Sequence, residues 1–265
     1  MNKFLDKKKP KVILHGKGSR IGKHFLQKVR NTFFTPRFLY NIFIKNSDYE
    51  YYLFKKKKFL VTLNIFLSKF FWFWPKISND FVYDTVPTKY YYEIDEVADF
   101  LVKTVAKYCN KNMKILDLGC NVGRHIEFLH KLGYQKLYGV DVSRKAITEF
   151  KKTKKKIFEI HNIQNDFFQR YLNNSSDLRF DTIYSHGATI EIVHPSYDIV
   201  KNMCRVTKKY IILIINEHFH HFPRFYSYEF EKNGFYMINA IRPLGQVLSQ
   251  KNEENPNSLL IFKKM

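Results

Sequence analysis

The chain has 265 residues, 45% of them hydrophobic, with 26 Phe, 18 Tyr and 2 Trp. That is core material for one globular domain with an appendage, and it excludes intrinsic disorder. With only 10 Gly and 8 Pro, collagen-like and low-complexity readings fail too.

The formal net charge is +21 and unevenly placed. Residues 1–90 carry 19 Lys+Arg against 5 Asp+Glu, a net of +14, and residues 91–265 carry 26 against 19, a net of +7. A basic half points to a phosphate-rich partner: nucleic acid, anionic lipid or a phosphorylated substrate. The joint abundance of Lys, Asn, Ile, Phe and Tyr is also what an AT-rich coding sequence produces, so charge alone does not choose a partner. Cys109, Cys120 and Cys204 form no C-x-x-C pair. An odd, scattered set argues against a disulfide framework or zinc ribbon and for a reducing compartment. The first ten residues contain no apolar stretch of signal-peptide type, so a cytoplasmic protein is expected, with peripheral attachment at the inner membrane face as an alternative.

In chain order, Val12–Leu14 leads into His15-Gly-Lys-Gly-Ser-Arg-Ile-Gly-Lys23. A Walker A loop needs G-x4-G-K-[ST], and here Lys17 and His24 occupy the decisive places. A basic turn before a helix at 25–40 is the simpler reading. Residues 59–74 are apolar but interrupted by Asn64 and Lys69, shorter than the roughly 20 residues of a membrane span. They read as a helix capping the main domain. An interfacial segment is the alternative, with Lys55–Lys58 near headgroups and Trp72 and Trp74 at the boundary. Residues 1–90 are therefore expected to be a basic, aromatic-rich helical extension.

From Ile94 the pattern becomes an alternation. Helices are expected at 94–108, 124–132, 144–155, 195–206 and near 223–233. Strands are expected at 113–118, 136–141, 157–161, 180–185, 210–215, 235–241 and 259–263. Alternating elements predict an α/β, doubly wound, Rossmann-like fold over 91–265. Its sheet has seven strands, mostly parallel, and the last two, joined only by a loop, pair antiparallel.

The most informative stretch is Lys114-Ile-Leu-Asp-Leu-Gly-Cys-Asn-Val-Gly-Arg-His-Ile-Glu-Phe-Leu129. A buried strand runs into D-x-G-x-x-x-G and a helix opens at once. Gly119 and Gly123 let the backbone turn tightly and approach a ligand. The helix start offers unpaired N–H groups and a positive dipole end. Asp117 can order the turn or attract a cation. Asp141 ends the next strand, 24 residues on, where a carboxylate can accept hydrogen bonds from ribose hydroxyls. Asn121 breaks the G-x-G-x-x-G pattern of dinucleotide folds.

Asp117-Leu-Gly-Cys-Asn-Val-Gly123 with Gly139-Val-Asp141 resembles the first two motifs of class I S-adenosylmethionine-dependent methyltransferases. Phe180-Asp-Thr-Ile-Tyr-Ser185, Ile190-Glu-Ile-Val-His-Pro195 and Met203–Ile214 resemble the later ones, with Lys209-Tyr210 in place of the usual glycines. The resemblance covers about 90–265. It implies an S-adenosyl-L-methionine cofactor, held by Asp117, Gly119, Asn121, Gly123 and Asp141. Gly119 would face the methionine amino group, and Asn162 and Ile163, at the end of the third strand, would flank the adenine. Cys120 reads as a small loop filler rather than a nucleophile.

Methyl transfer from a sulfonium is a displacement in which the enzyme aligns the nucleophile and excludes water. A hydroxyl acceptor also benefits from a base. Loops after the fourth and fifth strands supply His186, Glu191, His194, Glu217, His218, His220 and His221. Of these His186, His194 and Glu191 are the catalytic candidates, histidine because its pKa lies near operating pH. A metal site from Glu217, His218 and His220 lacks the H-E-x-x-H helix, so no metal is expected. Ser185-His-Gly-Ala188 stands where N-P-P-Y would indicate an exocyclic amine or a glutamine amide, and no Pro-Cys nucleophile of the cytosine-C5 type is present. The expected acceptor is therefore a small molecule, glycan or lipid-linked group, methylated on oxygen. An RNA acceptor docked by residues 1–90, or a non-catalytic cofactor-binding module, are the alternatives.

Overall fold

The computed structural model describes residues 91, 92, 94–187, 189, 190, 193, 197–215, 226–249, 255 and 257–265. The expected extension at 1–90, together with Glu191, His194, Glu217, His218, His220 and His221, lies outside them.

Helix α1 (Glu96–Tyr108) precedes β1 (Ile115–Leu118), α2 (Arg124–Lys131), β2 (Leu137–Asp141), α3 (Arg144–Thr153), α4 (Lys155–Ile160) and β3 (Asn162–Asn165). Then come α5 (Phe168–Asn173), β4 (Phe180–His186), α6 (Ile199–Val206), β5 (Thr207–Ile215), α7 (Tyr226–Glu231), β6 (Phe235–Ile241), a 3₁₀ turn (Leu244–Val247) and β7 (Ser258–Lys264). The seven strands form one sheet in the order β3-β2-β1-β4-β5-β7-β6. β1 to β5 are mutually parallel, and β7 lies antiparallel between β5 and β6. Strand order reverses between β1 and β4, which opens a crevice outside the carboxyl ends of those strands.

Side chains alternate across the sheet and divide the core. Ile115, Tyr184, Ile212 and Ile214 face one side, where Leu101 and Val105 of α1 and Ile126 and Leu129 of α2 cover them. Leu116, Leu118, Ile183, Ile211 and Leu213 face the other, against Phe168, Ile199, Met203 and Phe230. Asp117, two residues from Ile115, therefore faces α1 and α2. The helices start where side chains can cap them: Asp95 accepts from Ala98 N–H at 2.7 Å, Ser143 from Ala146 N–H at 3.1 Å and Asp198 from Lys201 N–H at 3.0 Å.

Three expectations need correction. Residues 157–161 are not a strand: α4 covers 155–160, buries none of its residues and leaves Ile160 exposed. The third strand is Asn162-Ile-Gln-Asn165, mostly exposed at the sheet edge. An edge strand does not need the apolar run that sequence reading seeks. Helix α5 went unforeseen, and β5 begins at Thr207 rather than Tyr210. Among the described residues no helix is long and apolar enough to cross a membrane.

Candidate active site

The carboxyl ends of β1 and β2 converge on the loop 119–123. Gly119 and Cys120 both donate N–H groups to Val140 O, at 2.9 and 3.1 Å, which ties the loop to the end of β2. Gly119 has φ +94° and Gly123 φ +72°. A Cβ on Gly119 would sit 2.2 Å from Thr189 Oγ1, and one on Gly123 2.1 Å from the Phe150 ring. Both glycines are thus required by conformation and by neighbours. Asn121 also adopts a left-handed conformation, φ +47°. It spends its polar groups on the loop: its N–H donates to Asp141 Oδ2 at 2.9 Å and its Oδ1 accepts from Val122 N–H at 2.9 Å. Lys154 donates to Val122 O at 2.9 Å.

Asp141 is buried, with Oδ1 accepting from Ser143 N–H at 2.8 Å and Oδ2 from Asn121 N–H. Burial pushes its pKa up to about 6 although those two N–H groups pull it down. It is ionised at neutral pH, with lone pairs left to accept from hydroxyls.

Asp117 is 1% exposed, and neither oxygen has a hydrogen bond of normal length. Burial pushes its pKa to about 7, opposed by the facing Tyr184 hydroxyl and the Arg124 charge. An orphaned buried carboxylate is costly unless something uses it.

His186 ends β4. Its Nδ1 lies 3.3 Å from His125 Nε2 and 3.4 Å from Arg124 Nη2. His125 Nδ1 in turn stands 3.6 Å from Asp117 Oδ2, and Arg124 Nη1 3.3 Å from Asp95 Oδ2. Both His125 and His186 are held down to about 3, by burial first; Arg124 adds to this at each ring and His125 adds to it at His186. This corrects one expectation: the His186 pKa does not lie near neutrality, and the ring is a neutral imidazole.

Asp117, Gly119, Asn121, Gly123, Asp141 and His186 therefore come together. Asn162 and Ile163 do not. Asn162 opens β3, in register with Tyr138, roughly 10 Å back along the strand from the edge that Asp141 occupies. Ile163 packs into the core near Gly139. The residues at the carboxyl end of β3 are Asn165, whose Nδ2 donates to Asp141 O at 3.0 Å, then Asp166 and the exposed Phe167. Asp166 N–H donates to Asp141 O at 3.1 Å. Sequence reading missed Asn165 and Phe167, and saw Asp166 only as an acid a few residues past the expected contact, because it placed the strand five residues early. It also missed Arg124 and His125, which sit inside the glycine motif's helix; their position at the first turn was the available signal. Cys120 is buried with its thiol pushed well above its ordinary value by burial, the state of a packing residue.

The methyltransferase-domain family matches residues 109–259, more than half of the chain. The chain belongs to this family. Its fold is shared by the magnesium protoporphyrin IX methyltransferase of Synechocystis PCC 6803 with bound S-adenosylmethionine, at 13% identity, TM-score 0.52, covering 76% of this chain and 97% of that one. The same enzyme with bound S-adenosylhomocysteine aligns at 12% identity and TM-score 0.51, over 76% and 99% of the two chains. A Listeria monocytogenes protein described as a putative S-adenosylmethionine-dependent methyltransferase aligns at 19% identity and TM-score 0.49, over 64% and 98%. No curated protein matches the sequence. The protein is an S-adenosylmethionine-dependent methyltransferase with a Rossmann-like fold.

The residues of this methyltransferase fit the cofactor. Asp141 presents an ionised carboxylate beside a loop that its own oxygens order, which suits a ribose diol. The N–H of Gly119 is already given to Val140 O, so a methionine ammonium would be met by acceptors, the Gly119 carbonyl and the unpartnered Asp117. The cofactor supplies an activated methyl group; the protein must position the acceptor and dispose of its proton. Among the described residues no cluster of His, Cys, Asp and Glu could hold a metal ion.

Proposed function

We propose that this methyltransferase methylates a hydroxyl oxygen of a small-molecule, glycan or lipid-linked acceptor, with His186 as the base. The observation behind the reading is the His186 ring at the carboxyl end of β4. Its Nδ1 is taken up by His125 and Arg124, and its Nε2 makes no hydrogen bond among the described residues. A neutral imidazole so placed has one lone pair for an acceptor proton. Glu191 and His194, on the segment that follows, are held as further acceptor-side candidates. The cofactor would be gripped by Asp141 at the ribose and by the Gly119–Gly123 turn at the methionine end. Residues 1–90 would cap the acceptor side of a protein working in the cytoplasm or at its membrane face.

The deciding experiment offers labelled S-adenosylmethionine to a metabolite pool and, separately, to total RNA, using wild type and His186→Ala. Label in metabolites that disappears with the variant supports the reading. Label in RNA that falls steeply with salt transfers it to a nucleic-acid acceptor docked by the +14 charge of residues 1–90.

A further inference from the structure

A base held near 3 takes a proton poorly, and the arrangement behind His186 answers that difficulty. We infer that Asp117, His125 and His186 form a buried proton relay that carries the acceptor's proton from His186 to Asp117. This rests on His186 being the base.

The geometry is a line of alternating groups from three elements. Asp117 is the penultimate residue of β1, His125 sits in the first turn of α2 and His186 ends β4. The links are 3.6 Å from Asp117 Oδ2 to His125 Nδ1 and 3.3 Å from His125 Nε2 to His186 Nδ1. The first link is just beyond hydrogen-bond length, as catalytic contacts often are before a ligand closes the site. His125 faces Asp117 through Nδ1 and His186 through Nε2, while His186 Nε2 makes no hydrogen bond among the described residues, so the line has a direction. Besides His125, the Tyr184 hydroxyl faces Asp117, but neither carboxylate oxygen holds a hydrogen bond of ordinary geometry, which leaves a lone pair to receive.

The proton count closes. Before transfer Asp117 is ionised, His125 and His186 both carry hydrogen on Nδ1, and His186 Nε2 is a lone pair. As the acceptor oxygen bonds to the methyl carbon and the carbon–sulfur bond breaks with its pair remaining on sulfur, the hydroxyl proton passes to His186 Nε2. The His186 Nδ1 hydrogen moves to His125 Nε2, and the His125 Nδ1 hydrogen moves to Asp117 Oδ2. Both rings end neutral in the opposite tautomer, and Asp117 ends as a carboxylic acid.

The surroundings favour that end state. Arg124, 3.4 Å from His186 Nδ1, disfavours an imidazolium at either ring and donates better to a bare Nδ1 than to a protonated one. Lys154 acts on His125 in the same sense, while Asp95 opposes both. Burial lets Asp117 hold a proton up to about 7, far above the two rings. The Tyr184 hydroxyl, on the register partner of Asp117, favours its ionised form, and the Asp117 charge in turn raises the pKa of Asp141. A cation bound beside Asp117 would lower its pKa and work against the protonated end state, so burial is what must hold the proton there. His125 is thus a positioning and conducting residue, not a group that touches the acceptor.

The test needs no acceptor. The full-length protein is labelled with ¹⁵N-histidine and ¹³C-aspartate and titrated from pH 5 to 9 without ligand. As pH falls through about 7, the infrared band of a carboxylic acid from Asp117 should appear together with a switch of both rings from the Nδ1–H to the Nε2–H tautomer. His125→Phe should keep the carboxylic-acid band and abolish the His186 switch; His125→Gln serves if the Phe variant does not fold. Asp117→Asn should freeze both tautomers across the range. An imidazolium at His186 while Asp117 stays ionised, or protonation of Asp117 with unchanged tautomers, would overturn the relay. Turnover of His186→Ala in the metabolite-pool assay separates the two ideas. An inactive variant with no tautomer switch in wild type removes the relay and keeps the base, whereas full activity removes the base itself.

Discussion

Two carboxylates stand at the carboxyl ends of neighbouring parallel strands in this methyltransferase, Asp141 as the last residue of β2 and Asp117 one residue before the end of β1, and their surroundings differ sharply. Asp141 receives backbone N–H groups at both oxygens, from Ser143 at 2.8 Å and Asn121 at 2.9 Å. Asp117, one strand away, receives none. The β2–β3 side of the crevice is built from backbone: Asn121, Asn165 and Asp166 all bond to main chain or to Asp141. The β1–β4 side is built from side chains of α1, α2 and β4 that meet one another at or beyond the edge of hydrogen-bond length. A ligand that is the same in every turnover suits the first kind of construction, since preorganised donors need no rearrangement. A proton in transit suits the second, because its carriers must change partners.

The largest expected effect tests the mobile side. His186→Ala should lower turnover roughly 10²–10⁴-fold while leaving S-adenosylmethionine affinity nearly intact, read by labelled methyl transfer alongside calorimetry. Equal losses in both would place His186 on the cofactor side and erase the contrast.

The rigid side should respond in stability. Gly123→Ala must force a side chain to φ +72° and into the Phe150 ring, 2.1 Å away. A loss on the order of 2–4 kcal/mol in denaturant unfolding is expected from the combined strain and overpacking. Gly234→Ala, at φ +80° with nothing within 4 Å, is the control and should cost about 1 kcal/mol. Similar losses at both sites would show that the loop tolerates repacking.

Asp141→Ala should weaken cofactor binding by about 1.5–3 kcal/mol, the range for hydrogen bonds to a charged group. Unchanged affinity by calorimetry would take the ribose away from Asp141.

The smallest effect concerns Asp117 and pH. Its folded pKa of about 7 lies above the ordinary 3.8, so the folded state holds the proton more tightly than the unfolded one. Its ionisation therefore costs stability above about pH 7, and that cost shrinks as pH falls toward 4. Asp117→Asn should accordingly be more stable than wild type at pH 8, by on the order of 1–2 kcal/mol in denaturant unfolding, and lose most of that advantage near pH 5. His125 and His186, both held near 3, act oppositely: they favour the folded state above about 6.5 and lose that contribution as pH drops toward 3. The variant must therefore be compared with wild type at each pH.

Legibility followed burial. β1, β2, β4 and β5 were visible because strands covered on both faces read as apolar runs. β3 was not, because Asn162-Ile-Gln-Asn165 lies at an edge and α4 carries the apolar residues just before it. That five-residue displacement moved the expected adenine contacts to Asn162 and Ile163, away from the edge where Asn165, Asp166 and Phe167 stand. In the site, Gly119, Gly123 and Asp141 were legible because a turn at positive φ and a strand-ending acid leave signatures in residue type. Arg124 and His125 were not, since Arg and His at a helix start are ordinary surface residues unless the fold buries them.

The sequence by itself determined the order of elements, the glycine turn after β1 and the acid after β2, because these depend on local conformation and on two-residue alternation. Only the tertiary structure decided that β7 slots between β5 and β6, that β4 lies beside β1, and hence that His186, His125 and Asp117 stand in one line from residues up to 69 positions apart. It also decided their protonation. A pKa depends on the dielectric and the charges around a group, and burial under α1 and α2 with Arg124 alongside exists only once the sheet has closed.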